Sequence, residues 1–539
     1  MKKLLGLVII TLVLILIITL DSRPIKVSGQ ALSLPSEKRL IEEEAIAIYN
    51  VASTTHRNIV VSVKHAGDSP VRGAKVCAES TCGYTDGNGS ITFTLPKGTL
   101  LVLGNPMTFQ EQQSHVDVAE KALRISEKAA QYVISRAEVE ANGFKWVVRG
   151  QYYAHYNPIF QNGAAGVGYF LLHLHRVTGN LTYLEYAEGA ARWIISEAQL
   201  RDGGYTWPHY DDEKPRPGGW FLTPEKSVAG IAKFLAELYR TTGKEEYLKY
   251  AEGAAKWIIN TGFVKQGPGS YVLYNPYYQA AFGIYSYVQR DVGKLMIELY
   301  RITGNPEYLN KAKEIAEWII YTTKFEDNIA KWYDDRGYGN HYTVEGMVSI
   351  ADLLYELYLA TGQARYLEVA EKMLNWIESV GVREDGKIKF RDLRGEFRTL
   401  VDGDWDRLLY PMTPADIFLK SYEITGNQTR LEIAKSFANW IISISVTEAN
   451  GVKVPLIEGK AFYSAWVNSR IFSFISKLYS LSGERTYLDF ADRLLKWIQI
   501  TALDRNGYAW SGESAVFYGG SAGIGYYIVS QYPLIASTV

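Results

Sequence analysis

Apolar positions along this chain follow two helical patterns that take turns. The first is apolar on nearly every face, as in Ala229-Gly-Ile-Ala-Lys-Phe-Leu-Ala-Glu-Leu-Tyr239, and a helix of that kind is a buried one. The second has a single apolar stripe: Leu184, Ala187, Ala191 and Ile194 recur at three and four residues. The first pattern ends each time in Thr-Gly or Ser-Gly, at Gly179, Gly243, Gly304, Gly362, Gly426 and Gly483, where glycine supplies the positive φ that closes a helix. The second opens a few residues later and runs from Tyr183 to Trp193, Tyr247 to Trp257, Tyr308 to Trp318, Tyr366 to Trp376, Arg430 to Trp440 and Tyr487 to Trp497. Self-similarity at such a long period means one supersecondary unit per repeat. The pattern therefore predicts hairpins of an inner, all-apolar helix and an outer, striped one.

Inner helices are expected to begin near Ala164, Ser227, Gln289, Val344, Thr413, Val467 and Ser521. The seventh has no outer helix after it, while residues 115–138 form an outer-type helix before the first. The two chain ends complement each other. This predicts a mainly α protein whose residues 110–535 close into an α/α toroid of about seven hairpins; six copies plus a loop-like first unit is the alternative. The stretches 198–225, 261–286, 323–342, 380–411, 444–466 and 501–518 read as long structureless connections. Such loops are usually functional. They emerge at the N-terminal ends of the inner helices, so a site is expected in that mouth.

Ahead of the ring, residues 58–104 alternate in short runs (Asn58-Ile-Val-Val-Ser62, Ile91-Thr-Phe-Thr-Leu95) between turn signals such as Asp86-Gly-Asn-Gly89, as a small β module would. Residues 32–57 read as a stalk. Residues 1–31 hold an uncharged apolar run behind Lys2 and Lys3, a signal peptide or an uncleaved anchor, with the anchor preferred. The expected place is then the cell membrane, with the bulk outside, or secretion after cleavage. Outside the cell the only cysteines, Cys77 and Cys82, are expected to form a local disulfide. Three sequons, at Asn88, Asn180 and Asn427, fit export. The net charge of −1 gives no reason to expect a nucleic-acid partner.

Three resemblances follow from these residues. Pro70-Val-Arg-Gly-Ala-Lys-Val76 with Tyr84-Thr-Asp-Gly-Asn-Gly89 resembles carboxypeptidase regulatory-like β-sandwich domains, which implies a spacer or adhesion module. Gly163-Ala-Ala-Gly-Val-Gly-Tyr169, Gly203-Gly-Tyr-Thr-Trp-Pro208 and Gly520-Ser-Ala-Gly-Ile-Gly-Tyr526 resemble lanthionine synthetase C-like proteins. The hairpins also look like six-hairpin glycosidases, glucuronyl C5-epimerases and N-acylglucosamine 2-epimerases. Lanthionine synthetases hold zinc with two cysteines and a histidine, whereas the corresponding stretches Tyr410-Pro-Met-Thr-Pro414, Ala465-Trp-Val-Asn468 and Phe517-Tyr-Gly-Gly520 offer none. No metal and no cofactor are expected.

The loops combine acids, glycine and aromatic rings, which suits sugars: rings stack on pyranose faces and carboxyls bind hydroxyls or move protons. Glycoside hydrolysis needs two carboxyls across the bond. The candidates are Asp211, Asp212, Asp334, Asp335, Asp404, Asp406 and Glu513, with His341 as an acid–base group. Substrate-binding candidates are His155, Trp207, His209, Trp332, Arg336, Trp405, Arg407, Tyr410, Trp466 and Trp510. The reading is a surface-anchored toroid acting on a glycan or other extracellular polymer, by hydrolysis or by uronate elimination or epimerisation. A non-catalytic glycan- or peptide-binding toroid and a peptide-modifying protein without the zinc site are the alternatives.

Overall fold

The structure is a computed structural model. It describes residues 109–537 except 150–153, 161–162, 209, 212–213, 216–227, 273–284, 334–341, 393–394, 401–412, 450, 511–513 and 518–519, and, before residue 109, eight strands. Side chains are described from Asp117 onward. Two compact units are resolved, Met1–Glu120 with Pro533–Val539, and Lys121–Tyr532.

In the second unit the expected alternation is present. The inner helices are α2 (Ala164–Thr178), α4 (Gly230–Thr242), α6 (Ser286–Thr303), α8 (Val344–Thr361), α10 (Asp416–Thr425), α12 (Ala465–Ser482) and α14 (Ser521–Val529). The outer ones are α3 (Leu181–Ser196), α5 (Glu245–Gly262), α7 (Pro306–Thr322), α9 (Ala364–Val380), α11 (Gln428–Ile444) and α13 (Arg485–Ile500), with α1 (Phe109–Ser135) belonging to this unit from Lys121 on. Seven of each are thus found among the described residues. Six inner helices end on a left-handed glycine, such as Gly179 at φ 72°, and the next outer helix follows within a few residues.

The inner ring closes. Each inner helix packs on the next from α2 to α10, α12 packs on α14, and α14 packs back on α2. Ion pairs Arg470–Asp416 (3.5 Å) and Lys477–Glu423 (2.7 Å) join α12 to α10. Small residues permit the approach: a Cβ on Gly168 would lie 2.4 Å from the Phe234 ring, and one on Gly525 2.5 Å from the Phe170 ring.

The repeated Tyr is a link between repeats. Tyr308 donates to Glu252 on the preceding outer helix (3.0 Å) and Tyr366 to Glu317 (3.4 Å). In the repeat that carries Arg430 instead, the guanidinium takes over and bonds Glu371 at 2.9 Å. Two of the sequon asparagines have a local purpose as well. Asn180 and Asn427 cap α3 and α11 by accepting from Thr182 N and Thr429 N, as Asn305 caps α7.

The connections from outer to inner helices are not structureless. Each opens with a tight antiparallel hairpin: 138–145, 199–206, 263–272, 324–331, 382–389, 446–453 and 503–509. Asp202-Gly203 (φ 49° and 77°) and Asp385-Gly386 (φ 49° and 73°) are the two-residue turns with positive φ at both positions that match strand twist. Each of the first six hairpins packs on the following outer helix. The seventh returns to α1, where a Cβ on Gly507 would meet Tyr132 N at 2.3 Å. The outer layer therefore closes as the inner one does.

The first unit contains two four-stranded sheets. In one, Leu14–Leu20 lies between Arg23–Gly29 and Asn58–Ser62, with Ser90–Thr94 beyond. In the other, Lys75–Ala78 lies between Leu101–Val102 and Thr81–Tyr84, and Cys77 and Cys82 face each other in register. No described helix is long and apolar enough to cross a membrane.

Candidate functional site

The seven inner helices surround a cavity of about 480 Å³, a size suited to a small ligand. Every one of them contributes to its lining. One wall is aromatic: Phe160, Phe517, and Tyr169, Tyr526 and Tyr527 from the neighbouring helices α2 and α14. These rings pack on one another, Tyr169 against Tyr526 at 5.3 Å and Phe517 against Tyr526 at 5.2 Å. Tyr169 and Tyr526 share a side-chain hydrogen bond, and burial pushes the ionisation of Tyr526 up, so that phenol stays protonated near neutral pH.

The rest of the lining is ionic. Asp352 of α8 takes Lys294 from α6 (2.6 Å) and Lys420 from α10, and Lys420 also reaches Glu356 (2.8 Å). Burial alone would raise the Asp352 carboxyl, but Lys294, Lys420 and Arg290 outweigh it and hold it well below the usual carboxylate range. Burial is likewise outweighed at Glu356, which Lys420 and Lys294 keep low. Lys233 of α4 lies over the Tyr169 ring at 4.6 Å, and burial lowers its ammonium to about 8. Arg470 of α12 stacks on Tyr527 at 4.6 Å. His173, edge-on to Tyr526 at 5.3 Å, is lowered to about 4 by burial and by Arg176, so it is neutral at neutral pH.

Outside the cavity lining, Glu237 of α4 and Glu298 of α6 share a proton. Burial and the hydrogen bond to Glu237 raise Glu298, while Glu237 is held low against its own burial by that bond and by Arg176, whose NH2 lies 2.7 Å away. Arg290 of α6 is buried in a pair with Asp291 at 2.7 Å.

The residues singled out in the loops divide sharply. The side chains of Asp211, Asp212, Asp334, Asp335, His341, Asp404, Asp406, Glu513, His155, His209, Arg336, Trp405, Arg407 and Tyr410 lie outside the described residues. Trp207, Trp332 and Trp510 are described, and they correct the expectation of stacking platforms. All three are buried: Trp207 donates to Ile194 O (2.7 Å), Trp510 to Ile498 O (2.8 Å) and Trp332 to Thr322 Oγ1 (3.0 Å). Each closes the end of the outer helix before it, satisfying a terminal acceptor. Trp466 is also buried, at the first turn of α12 and edge-on to Tyr527 at 6.3 Å. Trp207→Phe is therefore expected to cost about 1–2 kcal/mol of stability by thermal unfolding. A loss below about 0.5 kcal/mol would show that the buried indole bond does not hold the helix end.

The cavity residues escaped the loop-centred reading, although a signal for them existed. Lys233, Asp352 and Lys420 are charges inside helices that are otherwise apolar, and a buried charge needs a partner or a task.

No protein-family model and no curated relative matches the chain. Solved structures do. A family 76 glycoside hydrolase from a bovine Bacteroides thetaiotaomicron strain is 15% identical, covering 92% of this chain and 99% of that one at a TM-score of 0.44. A family 76 mannosidase from Bacteroides thetaiotaomicron VPI-5482 is 14% identical over 77% and 98%, at 0.45. A cellobiose 2-epimerase from Bacillus thermoamylovorans is 16% identical over 62% and 94%, at 0.43. Likeness of this order decides nothing about the reaction.

Proposed function

We propose that the protein is a carbohydrate-active enzyme in which a sugar unit enters the mouth of the ring and reacts in the central cavity. The observation that supports this most is the lining itself: an aromatic wall for a pyranose face, with phenols and fixed charges brought in from all seven inner helices. Such a pocket combines a few placed polar groups with ring surface.

Two reaction types fit this site. Hydrolysis requires one carboxyl kept protonated beside a second that is ionised. Among the described cavity carboxyls, Asp352 and Glu356 are both driven toward the ionised form, so neither is suited to be the acid. A hydrolase would draw its acid from Asp416 or Glu423, which also line the cavity, or from the loops, with Asp334, Asp335, Asp404 and Asp406 as candidates. Elimination or epimerisation instead moves a proton at carbon, a role open to Tyr169 and Tyr526 of the lining, with neutral His173 behind Tyr526. A β-sandwich in residues 58–104, a Cys77–Cys82 disulfide and, in place of the sheet pairing of Leu14–Leu20, anchoring at the cell surface through residues 1–31 are further parts of the proposal.

The test is to screen the full-length protein on neutral, uronate-containing and sulfated polysaccharides, following reducing ends and the absorbance of unsaturated products. Tyr526→Phe is expected to lower turnover about a hundredfold while the fold is kept. Loss in Asp335→Asn or Asp404→Asn with Tyr526→Phe active would move the chemistry to the loops. Retention of one polysaccharide without turnover would identify a binding toroid.

A further inference from the structure

Resting on that reading, we propose that the cavity is a built subsite for one oxyanion carried by the sugar, a uronate carboxylate or a sulfate ester. Arg470 and Lys233 grip it from the two sides of the Tyr169–Tyr526 pair.

Arg470 carries most of the argument. It is only 7% exposed, and its Nε has no hydrogen-bond partner among the described residues. A buried donor without an acceptor is costly, and for a charged group the cost is greater. The Asp416 carboxylate lies 3.5 Å from one terminal nitrogen, longer than the 2.7–2.9 Å of a strong charge-assisted bond. The guanidinium is held over the Tyr527 ring at 4.6 Å, which fixes its plane. Its Nε–H is therefore a fixed donor open to an oxyanion oxygen, while Nη2 on the same edge faces Asp416.

The charge balance points the same way. The described lining contains four lysines and Arg470 against four carboxylates, Asp352, Glu356, Asp416 and Glu423. One positive charge is in excess, and a monoanion neutralises it. Lys233 is as little exposed as Arg470, also 7%, and packs on the same aromatic wall from α4. Burial lowers its ammonium against the pull of Glu298, Glu237 and Asp291, and a bound anion would offset part of that burial. A second unmet group is an acceptor: Gln531 Oε1 also lines the cavity and has no partner among the described residues, which suits a sugar hydroxyl. One end of the ligand is thus anionic and another donates a hydrogen bond, as in an acidic sugar and not in a bare inorganic ion.

The experiment is calorimetric titration of the full-length protein with three oligosaccharides of equal length, one bearing uronate, one bearing sulfate and one neutral, and with free glucuronate and inorganic sulfate. An acidic oligosaccharide should bind at least about tenfold more tightly than the neutral one. Arg470→Gln should remove at least about tenfold of the acidic ligand's affinity and leave the neutral one unchanged, with Arg470→Lys between them. The uronate and sulfate arms tell the two oxyanions apart. If Arg470→Gln fails to fold by circular dichroism, the comparison of ligands on the parent protein still decides. Equal affinity for neutral and acidic ligands, or acidic affinity unchanged in a folded Arg470→Gln, overturns the subsite. Turnover of neutral glycans alone would sink the oxyanion and keep the carbohydrate reading. Arg470-dependent binding of glucuronate and sulfate, with no polysaccharide retained or turned over, would do the reverse.

Discussion

Asp352→Asn is expected to destabilise the ring by about 3–5 kcal/mol, the largest effect of any single substitution considered. Asp352 is 2% exposed and holds Lys294 and Lys420 from the helices on either side, so it fastens α6, α8 and α10 at the wall of the cavity. Asparagine keeps the shape but leaves two ammonium groups without their shared counter-charge, and an uncompensated buried charge is what makes breaking such a cluster expensive. Lys420 retains Glu356, which places the cost toward the lower end. Replacing all three partners by apolar residues of similar volume should cost less than the single change, because no charge is then stranded. The pH profile supplies a check of sign. The folded carboxyl is held below its ordinary value of 3.8, so its contribution is present above that pH and lost as pH falls through the acid range. Denaturant unfolding at neutral pH and at pH 3 measures both effects. A loss under about 1 kcal/mol at neutral pH, or a deficit that does not shrink in acid, would show that the cluster is mere surface pairing.

The ring itself was legible because its cause is periodic. A helix that buries every face and one that buries a single stripe leave different marks, and Thr-Gly marks where one turns into the other. The start points read from those marks fall within a few residues of the observed ones, Ala164, Gly230, Ser286, Val344, Asp416, Ala465 and Ser521. The hairpins were also written in the chain, as Asp202-Gly203 and Asp385-Gly386. Both lie in stretches that read as long structureless connections, although Asp-Gly with positive φ at both positions is a hairpin turn. Trp207 and Trp510 misled for a related reason. An indole that closes a helix end and one that stacks on a sugar both follow Gly and precede a loop. What decided between them was the acceptor of the Nε1 proton, which only the folded chain reveals. The cavity was hidden because its residues come from seven helices spread over more than 300 positions, and no local motif brings Tyr169, Lys233, Asp352 and Tyr526 together. Only the closure of α14 on α2 does so.

Glu298→Gln should leave the protein as stable as the parent near pH 5 and make it more stable than the parent at pH 9. In the fold, burial and the hydrogen bond to Glu237 raise Glu298 from 4.5 to about 8. The unfolded chain releases that proton near 4.5, so between the two values the native state binds more protons, and stability falls as pH rises through the window. At 1.36 kcal/mol per pH unit of difference, the loss is about 5 kcal/mol by pH 9 as an upper bound, since the two carboxyls titrate as a pair. Glutamine donates the same hydrogen bond to Glu237 without a proton to lose. Other groups work against the trend in the parent. His173, lowered to about 4 from 6.5, adds stability as pH rises between those values, and Lys233, lowered to about 8 from 10.5, does so above 8. Both remain in the variant, although Lys233 draws part of its charge stabilisation from Glu298, so only the difference between the two profiles isolates the pair. Melting temperatures from pH 5 to 9 would show curves that coincide at the acid end and separate upward. Parallel curves across that range would mean that Glu298 is ionised throughout, and that Arg240, 3.9 Å away, carries it as an ordinary ion pair.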